Sequence, residues 1–286
     1  MRHQVEKTTT LGECLGGLFA EASGRTIKQM LERGRVRVGG LPVTRKNMPL
    51  TPGAVVEIDE GRPAAGSLPV GLKLVYQDDE VIVVDKAAGL LTIATPKERE
   101  RTAYAMLRAA VKERDSTQKV FIVHRLDRDA SGLLVLARTE AAKLALQAQF
   151  RVHSVERVYR AVVEGHIKED EGRIDKRLHE EGANRVREAR PGAPGQDAVT
   201  HFKVLSRTQQ TTTLDVRLET GRKHQVRAHL ASIGHPIVGD KTYGAKTNPL
   251  HRLALHARLL AFDHPRTGAR CSYTSEPPRS FRFRDG

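Results

Sequence analysis

The chain of 286 residues is long enough for one large core and a smaller accessory domain, since domains usually contain about 100 to 200 residues. Its 48 lysines and arginines exceed its 34 aspartates and glutamates by 14, which favours phosphate-rich partners such as nucleic acid. Its two cysteines, Cys14 and Cys271, have no metal-type spacing, which excludes a disulfide framework and a structural zinc site. Without an apolar run of about 18 residues or a signal-like N-terminus, we expect a cytoplasmic protein and no membrane partner.

The first sixty residues predict a small domain of two helices followed by short strands. Apolar side chains at helical spacing mark the two helices, and they are Leu11, Leu15, Leu18 and Phe19, then Ile27, Met30 and Leu31. Alternating valines around residues 36–38 and 55–58, with the glycine pair at 39–40 between them, predict a small sheet.

Basic residues crowd the second of these helices and the segment after it. Residues 25–46 contain one acidic side chain, Glu32, and seven basic ones, a local excess of six: Arg25, Lys28, Arg33, Arg35, Arg37, Arg45 and Lys46. A solvated helix face is the ordinary explanation of such a run. The pattern over residues 25–40, however, resembles the alpha-L RNA-binding module, the ribosomal S-four-like domain. This resemblance implies that Arg25, Lys28 and Arg33 bind RNA.

Further periodic segments follow this small domain. Residues 61–71 are rich in glycine and proline and predict an interdomain linker. After them come predicted strands at residues 72–76, 81–84 and 133–137, and predicted helices around 103–111, capped by Thr102, and 141–148. Alternation at 158–163 and 214–218 predicts an antiparallel sheet with one covered face. Residues 169–200 lack a sustained pattern and predict a long insertion or flexible loop.

The segment from residue 124 to 136 places a carboxylate between two arginines. Asp127 is bracketed by Arg125 and Arg128 in a predicted turn that leads into an apolar strand. Nearby positive charge favours the ionised carboxylate, which suits a nucleophile or a base. On spacing alone, a turn in which Asp127 or Asp129 only accepts backbone hydrogen bonds remains open.

A second cationic segment covers residues 220–240. Its predicted helix, which Thr220 could cap, opens with three candidate side chains, Arg222, Gln225 and Arg227. Arginines at a helix start form an anion site, and Arg227 is a natural partner for Asp127. Phosphate contacts at the surface or ion pairs with Glu219 are the alternative. No metal site is predicted, because the two histidines of this segment are five residues apart and no cysteine or acidic cluster accompanies them.

Five stretches resemble, in order, the RluA-type pseudouridine synthases, which isomerise uridine in ribosomal or transfer RNA. They cover residues 76–89, 124–136, 157–165, 220–240 and 253–257. By position, the resemblance implies that Asp127 is the catalytic aspartate, that Tyr159 lies against the target base and that Arg227 pairs with the aspartate. It also implies that Arg125 helps to displace the target nucleotide, and that neither cofactor nor metal is needed. We add Arg128, Arg222 and Gln225 as predicted substrate-binding residues.

The resemblance implies an α+β fold, with a mixed, mainly antiparallel sheet and flanking helices in the catalytic domain. We predict an RNA-binding domain of small α/β type at 1–60, a linker at 61–71, the catalytic domain at 72–275 and a tail at 276–286. An attached alpha-L module is commonest among family members that act on large-subunit ribosomal RNA. We therefore expect ribosomal RNA as the substrate, with transfer RNA as the other candidate. We also expect the protein to be a monomer.

Two other classes of protein were compatible with parts of this pattern. An RNA-binding assembly factor with a vestigial pocket would explain the charge, but not the aspartate, tyrosine and arginine at their matched positions. A nucleic-acid glycosidase could use Asp127 and Asp129 as a carboxylate pair, although it would tolerate water at the site. A deaminase would need a histidine and cysteine zinc signature that this sequence lacks.

Overall fold

The computed structural model describes residues 1–19, 24–32, 36–58, 68–182, 185–190 and 192–283. The chain divides into two compact units, Met1–Lys73 and Leu74–Gly286. Most of the predicted linker, together with Arg33, lies outside the described residues. None of the helices in the described ranges has the length and apolar character that crossing a bilayer requires.

The part of the first unit that the structure describes contains two helices and six short strands. The helices are α1 (Leu11–Leu18) and α2 (Gly24–Glu32), and the strands are β1 (Arg2–Gln4), β2 (Thr9–Thr10), β3 (Val36–Val38), β4 (Leu41–Pro42), β5 (Pro49–Leu50) and β6 (Val55–Ile58). Four of the strands form an antiparallel sheet in the order β1-β6-β3-β4. Thr10 and Glu13 cap the start of α1 reciprocally, which satisfies backbone N–H groups of the first turn.

The core of the first unit forms where the predicted helical stripes meet the sheet. Leu11 and Leu15 of α1 and Leu31 of α2 are buried against Val36 and Val56. The helix and strand positions predicted for this region are therefore confirmed. On α2 the predicted RNA-binding residue Lys28 is exposed, whereas the side chain of Arg25 falls outside the described part of the chain.

The second unit is built on a ten-stranded sheet. The strands of this sheet are β7 (Leu72–Gln77), β8 (Val81–Lys86), β9 (Phe121–Ile122), β10 (Ser131–Ala137), β11 (Glu156–Glu164), β12 (Glu171–Asp175), β15 (Val199–Arg207), β16 (Thr211–Leu218), β17 (Leu255–Asp263) and β18 (Arg270–Thr274). Two further strands, β13 (Leu178–Glu181) and β14 (Arg185–Glu188), form a separate hairpin. The order is β12-β15-β16-β11-β17-β10-β8-β7, with β9 beside β10 and β18 beside β17. Strands β10 and β17 run parallel, and the other registered pairs are antiparallel.

Three helices accompany this sheet: α3 (Ala103–Arg114), α4 (Glu140–Arg151) and α5 (Gln225–Ser232). Thr102 caps α3 as predicted, since its side chain accepts a hydrogen bond from the N–H of Ala105. Helix α4 buries Ala142 and Leu146 against strand residues such as Val135, and a fully buried leucine stabilises a fold by about 1.5 to 3 kcal/mol. The predicted α+β fold with a mainly antiparallel sheet is confirmed.

The prediction of a long insertion or flexible loop at residues 169–200 is wrong. Strand β12 pairs with β15 at the edge of the sheet, and β13 pairs with β14. Among its described residues the hairpin buries two apolar side chains, Leu178 and Val186, against Ala228 of α5 and Tyr243. So few apolar positions give no sustained period in the sequence, and these apolar partners on α5 and at Tyr243 lie 42 to 65 positions away along the chain.

Gly132 is required where the loop that carries Asp127 enters β10. Its φ is +113°, and it lies beside Ala257 in the parallel pairing of β10 with β17. A Cβ atom there would lie 2.6 Å from the backbone nitrogen of Ala257. Both the backbone conformation and the close approach of the two strands therefore exclude a side chain.

We predict that Gly132→Ala lowers the free energy of unfolding by about 2 to 5 kcal/mol, because positive φ and overpacking both disfavour alanine. The matched control is Gly268→Ala, where φ is +69° but no atom lies within 4 Å of the added Cβ. Gly268→Ala should lower the free energy of unfolding by about 1 to 2 kcal/mol, which is the cost of the backbone conformation alone. Urea unfolding of both variants measures the difference, and equal losses would contradict the steric explanation.

Candidate active site

Asp127 lies on the loop of residues 123–130, which joins β9 to β10. The loop is held on both sides of the aspartate. Thr92 Oγ1 donates a hydrogen bond to the carbonyl oxygen of Leu126 (2.7 Å) and accepts one from its N–H (3.1 Å). The N–H of Gly89 donates to the carbonyl oxygen of Arg128 (2.9 Å). The backbone flanking Asp127 is thus positioned by the segment that follows β8.

Lys86, the last residue of β8, is fully buried beneath this loop. Its ammonium group donates to the carbonyl oxygens of Arg128 (3.2 Å) and Ala130 (2.7 Å), and also to those of Ala87 and Leu90. Burial lowers the pKa of Lys86 to about 7, while the nearby charges of Asp127 and Asp129 oppose that shift. One side chain therefore joins the loop that carries Asp127 to the loop after β8.

His124 fixes the other end of the loop. Its Nε2 accepts a hydrogen bond from the N–H of Val135 (3.1 Å), and its ring stacks on Phe150 at 4.7 Å between centroids. Burial, followed by the charge of Arg157, lowers the pKa of His124 to about 3. The imidazole is therefore neutral, with its proton on Nδ1, and its role is to hold the loop against β10 and α4.

Arg227 lies between two carboxylates. Its Nε and Nη2 donate to the two oxygens of Asp240 at 2.7 and 2.8 Å, and its Nη1 lies 3.4 Å from Oδ2 of Asp127. Burial alone would lower the pKa of Arg227, but the hydrogen bonds and charge of Asp240, with the charge of Asp127, raise it above its ordinary value. The guanidinium is thus a permanent cation beside Asp127.

Arg128 does not bracket Asp127 in the way that its place in the sequence suggested. Its guanidinium instead donates to both oxygens of Asp129, at 2.9 and 3.1 Å, and its side chain is 62% exposed. Arg125 lines the cavity beside Asp127. Among the described residues the cation that contacts the Asp127 carboxylate is Arg227, from a helix 100 positions away along the chain.

The start of α5 also differs from the prediction. The helix begins at Gln225, and its N-cap is His224, whose φ of 50° is left-handed and whose side chain makes no capping hydrogen bond. Thr220 does not cap the helix, because its hydroxyl donates to Oε1 of Gln225 (2.8 Å) and accepts from the N–H of Val199 (3.0 Å). Arg222 consequently lies in the turn before the helix. Its Nε donates to the carbonyl oxygen of Asp197 (3.0 Å).

Gln225 was predicted to bind substrate, but its amide is occupied by protein groups. Its Oε1 accepts from the N–H of Arg222 (2.9 Å), and its Nε2 donates to the carbonyl oxygen of Val199 and to the hydroxyl of Thr200, both at 3.0 Å. With its side chain buried in this way, Gln225 joins the turn before α5 to β15. Its described contacts position the loop that carries Arg222.

Tyr159 lies on β11, on the same face of the strand as Ala161 and Val163. The pairing of β11 with β17 shifts register between Val158 and Tyr159, so that one extra residue, Arg258, bulges from β17. Bulges re-aim neighbouring side chains, and here the bulge is next to the tyrosine that lines the cavity. Burial raises the pKa of Tyr159, so the ring is present as the neutral phenol.

A cavity of about 120 Å³ brings several of the predicted residues together. Asp127, Tyr159, Arg125, Arg222 and Gln225 all line it, and Arg227 reaches it through Asp127. Arg128 is not among the lining residues. Lys28 belongs to the first unit, whose RNA-binding assignment rests on the sequence alone. The cavity has an anionic centre at Asp127, an aromatic wall at Tyr159 and a cationic rim, which suits a planar base joined to a phosphate backbone.

Three residues of the site were not singled out from the sequence. Arg157 is buried at the cavity wall, where Nη2 donates to the carbonyl oxygen of Thr220 (3.1 Å) and Nε has no partner among the described residues. Asp240 holds Arg227, and His224 lies 3.9 Å from Asp127. All three lie within the matched sequence stretches. Their spacing carried no signal, because each acts across elements that are distant in the chain.

Comparison with known proteins identifies the family to which the chain is related. A family model described as RNA pseudouridylate synthase matches residues 80–232. The chain is 35% identical over 288 residues to the ribosomal large subunit pseudouridine synthase D of Pseudomonas aeruginosa, covering 95% of the chain and 89% of that relative. It is also 35% identical over 282 residues to YlyB of Bacillus subtilis, an uncharacterized RNA pseudouridine synthase, covering 96% and 92%.

The fold has solved counterparts. The structure of human RNA Pseudouridylate Synthase Domain Containing 4 superposes with a TM-score of 0.61 at 24% identity, covering 73% of this chain and 89% of that one. With a family match over residues 80–232 and relatives aligned along nearly the whole chain, this protein belongs to the RNA pseudouridylate synthase family, whose members are isomerases that act on RNA.

Proposed function

We propose that this enzyme converts specific uridines of large-subunit ribosomal RNA to pseudouridine, with Asp127 as the catalytic aspartate. The observation that carries the proposal is the position of Asp127 in a cavity beside Tyr159, with Arg227 held against its carboxylate by Asp240. The choice of RNA is supported by relatives named for the large ribosomal subunit, of which one is 35% identical over 95% of the chain.

The chemistry explains why such a site needs these residue types. The reaction breaks the bond between N1 of uracil and C1′ of ribose, turns the base and forms a bond from C1′ to carbon five, which then loses its proton while N1 gains one. Asp127 initiates this cleavage through its carboxylate, and the released uracil must be retained while water is excluded. Tyr159, a neutral ring on a buried strand, provides a flat apolar wall against which the free base lies.

The target uridine must first leave its helix. Extruding a nucleotide costs a few kcal/mol of lost stacking and pairing. Arg125 at the cavity rim occupies the space that the nucleotide leaves, while the exposed Arg128 and the half-buried Arg222 bind flanking phosphates. Such contacts offset the cost of extrusion and make binding strongly dependent on salt.

The first unit supplies a separate RNA-binding surface in this proposal. We assign residues 1–60 to an alpha-L module whose helix α2 and following segment bind RNA through Arg25, Lys28 and Arg33. Residues 61–71 then act as a linker, residues 72–275 as the catalytic domain and residues 276–286 as a tail. The module increases affinity for the correct RNA and takes no part in the chemistry.

Mapping of pseudouridine tests both the substrate and the aspartate. Cells that lack this gene should lose pseudouridine at one or a few positions of large-subunit ribosomal RNA. Wild-type protein should restore them, and Asp127→Asn should restore none although it still binds RNA. Asp129→Asn should keep activity within about fivefold of wild type, because the exposed pair with Arg128 contributes about 1 kcal/mol or less. Unchanged ribosomal RNA in the deleted strain would refute the substrate, and an active Asp127→Asn would refute the aspartate.

Variants of Arg227 and Asp240 should distinguish the contribution of this pair to the stability of the fold from its contribution to activity. Asp240→Ala leaves the buried Arg227 cation without its bidentate partner and should lower the free energy of unfolding by about 3 to 5 kcal/mol. The double variant Arg227→Met with Asp240→Leu removes both charges and should recover most of that stability. It should nevertheless stay inactive, because no cation then contacts Asp127. Urea unfolding and single-turnover assays measure the two properties, and an active double variant would contradict the role of Arg227.

The alpha-L assignment predicts a change in binding without a change in chemistry. The triple variant Arg25→Ala, Lys28→Ala, Arg33→Ala should raise the RNA concentration for half-maximal rate while leaving the saturated single-turnover rate unchanged. The slope of log affinity against log salt should become shallower by up to about three, one for each lost phosphate contact. A control with three exposed cations of the other unit, Arg99→Ala, Arg108→Ala and Lys112→Ala, distinguishes a local contact from general loss of charge. Identical effects from the two triple variants would count against a dedicated module.

A further inference from the structure

Tyr243 connects the hairpin, α5 and the catalytic loop through its ring and its hydroxyl group. Its ring lies beneath the guanidinium of Arg227, with 4.9 Å between the Cζ atom and the ring centroid. Its hydroxyl oxygen accepts a hydrogen bond from the N–H of Val186 in β14 (3.0 Å) and lies 3.1 Å from Nδ1 of His224. The second contact has no role in the function described so far.

These contacts favour one position for the proton of His224, because Nδ1 is the only acceptor that the Tyr243 hydroxyl contacts among the described residues. A backbone N–H can only donate, so the Tyr243 oxygen acts as acceptor toward Val186. Burial raises the pKa of Tyr243, so the hydroxyl keeps its proton and can donate it to Nδ1 of His224. Nδ1 is then an acceptor. In a neutral imidazole the proton must therefore lie on the other nitrogen, Nε2.

Burial, together with two nearby cations, keeps the imidazole of His224 neutral. Its pKa is lowered, chiefly by burial, and further by the cations Arg227 and Lys223, against which Asp127 and Asp240 act in the opposite direction. Nε2 faces the catalytic carboxylate at 3.9 Å from Oδ1 of Asp127. Arg227 approaches the other oxygen, Oδ2, at 3.4 Å.

We propose that His224 is a positioning residue for Asp127, a neutral imidazole that Tyr243 holds in the Nε2–H form so that this N–H faces Oδ1. Arg227 and His224 then act on opposite oxygens of one carboxylate, which restricts its rotation about the bond from Cβ to Cγ. The proposal rests on Asp127 being the catalytic aspartate. At 3.9 Å the contact is longer than a hydrogen bond of 2.7 to 3.2 Å. It closes when substrate binds, as catalytic hydrogen bonds commonly do.

The backbone of His224 provides independent support. Its φ of 50° is a left-handed conformation that costs a non-glycine residue about 1 to 2 kcal/mol. Such strain persists where the surroundings over-determine it, and it concentrates at functional sites. Here the turn before α5 is held by the buried side chain of Gln225, and its conformation places the imidazole between Tyr243 and Asp127.

Imidazole ¹⁵N chemical shifts of the full-length, histidine-labelled protein test the tautomer directly. The resonances that disappear in His224→Asn identify His224, and asparagine also tolerates the left-handed backbone. In the wild type we expect a bare Nδ1 and a protonated Nε2 at neutral pH. In Tyr243→Phe, which keeps the ring over Arg227, we expect a mixture of tautomers. A protonated Nδ1 in the wild type would overturn the proposal.

Kinetics test the positioning role. On large-subunit ribosomal RNA from cells lacking the gene, the saturated single-turnover rate of Tyr243→Phe and of His224→Asn should fall about fivefold or more, with half-saturation by RNA unchanged. The matched control Tyr76→Phe removes a hydroxyl that bonds Asp78 in another part of the sheet, and it should alter neither rate nor shifts. Unaltered rates in both site variants would overturn the proposal. The ¹⁵N chemical shifts identify the tautomer without any turnover, so they test this proposal even if the wild-type protein does not modify this RNA.

Discussion

The arrangement of the site depends on one buried cation shared by two carboxylates. Arg227 is 8% exposed, and its cost of burial is offset by the bidentate bond to Asp240. Because the Asp240 pair uses Nε and Nη2, the geometry of the guanidinium leaves Nη1 directed at Asp127. The position of Asp127 relative to α5 is therefore set by a charge interaction that neither the loop nor the helix could form alone.

The loop that presents Asp127 is held almost entirely through its backbone. Lys86 and Thr92 bind carbonyl and N–H groups of residues 126–130, and His124 accepts the N–H of Val135. Such contacts constrain the path of the chain and leave the side chains of Arg125 and Asp127 at the cavity. Lys86 donates to carbonyl oxygens beneath the loop, while Arg125 and Arg222 line the cavity, so part of the net positive charge of 14 is located at the site itself.

Two histidines, His124 and His224, illustrate how tertiary contacts influence which ring nitrogen carries the proton. Burial lowers the pKa of both His124 and His224, yet the two rings carry their protons on different nitrogens. His124 accepts at Nε2 from a backbone N–H, whereas in our proposal His224 accepts at Nδ1 from the hydroxyl of Tyr243. One ring thereby supports the loop, and the other is proposed to present a donor to the carboxylate of Asp127.

The sequence by itself determined much of the local structure of both units and predicted the central residues of the site. Periodicity placed α1 to α4 and the strands around residues 133–137, 158–163 and 214–218, because burial on one face imposes a period of 3.6 or 2. The ordered motifs pointed to Asp127, Tyr159 and Arg227. Only the tertiary structure decided that Arg128 pairs with Asp129, that α5 begins at Gln225 and that residues 171–188 form strands. The reason is physical. The start of α5 and the pairing of β12 with β15 depend on hydrogen bonds between elements that are distant in the chain, and such bonds leave no periodic signature in the sequence. Arg128 has a carboxylate on each side in the sequence, Asp127 and Asp129, and only the folded loop selects between them.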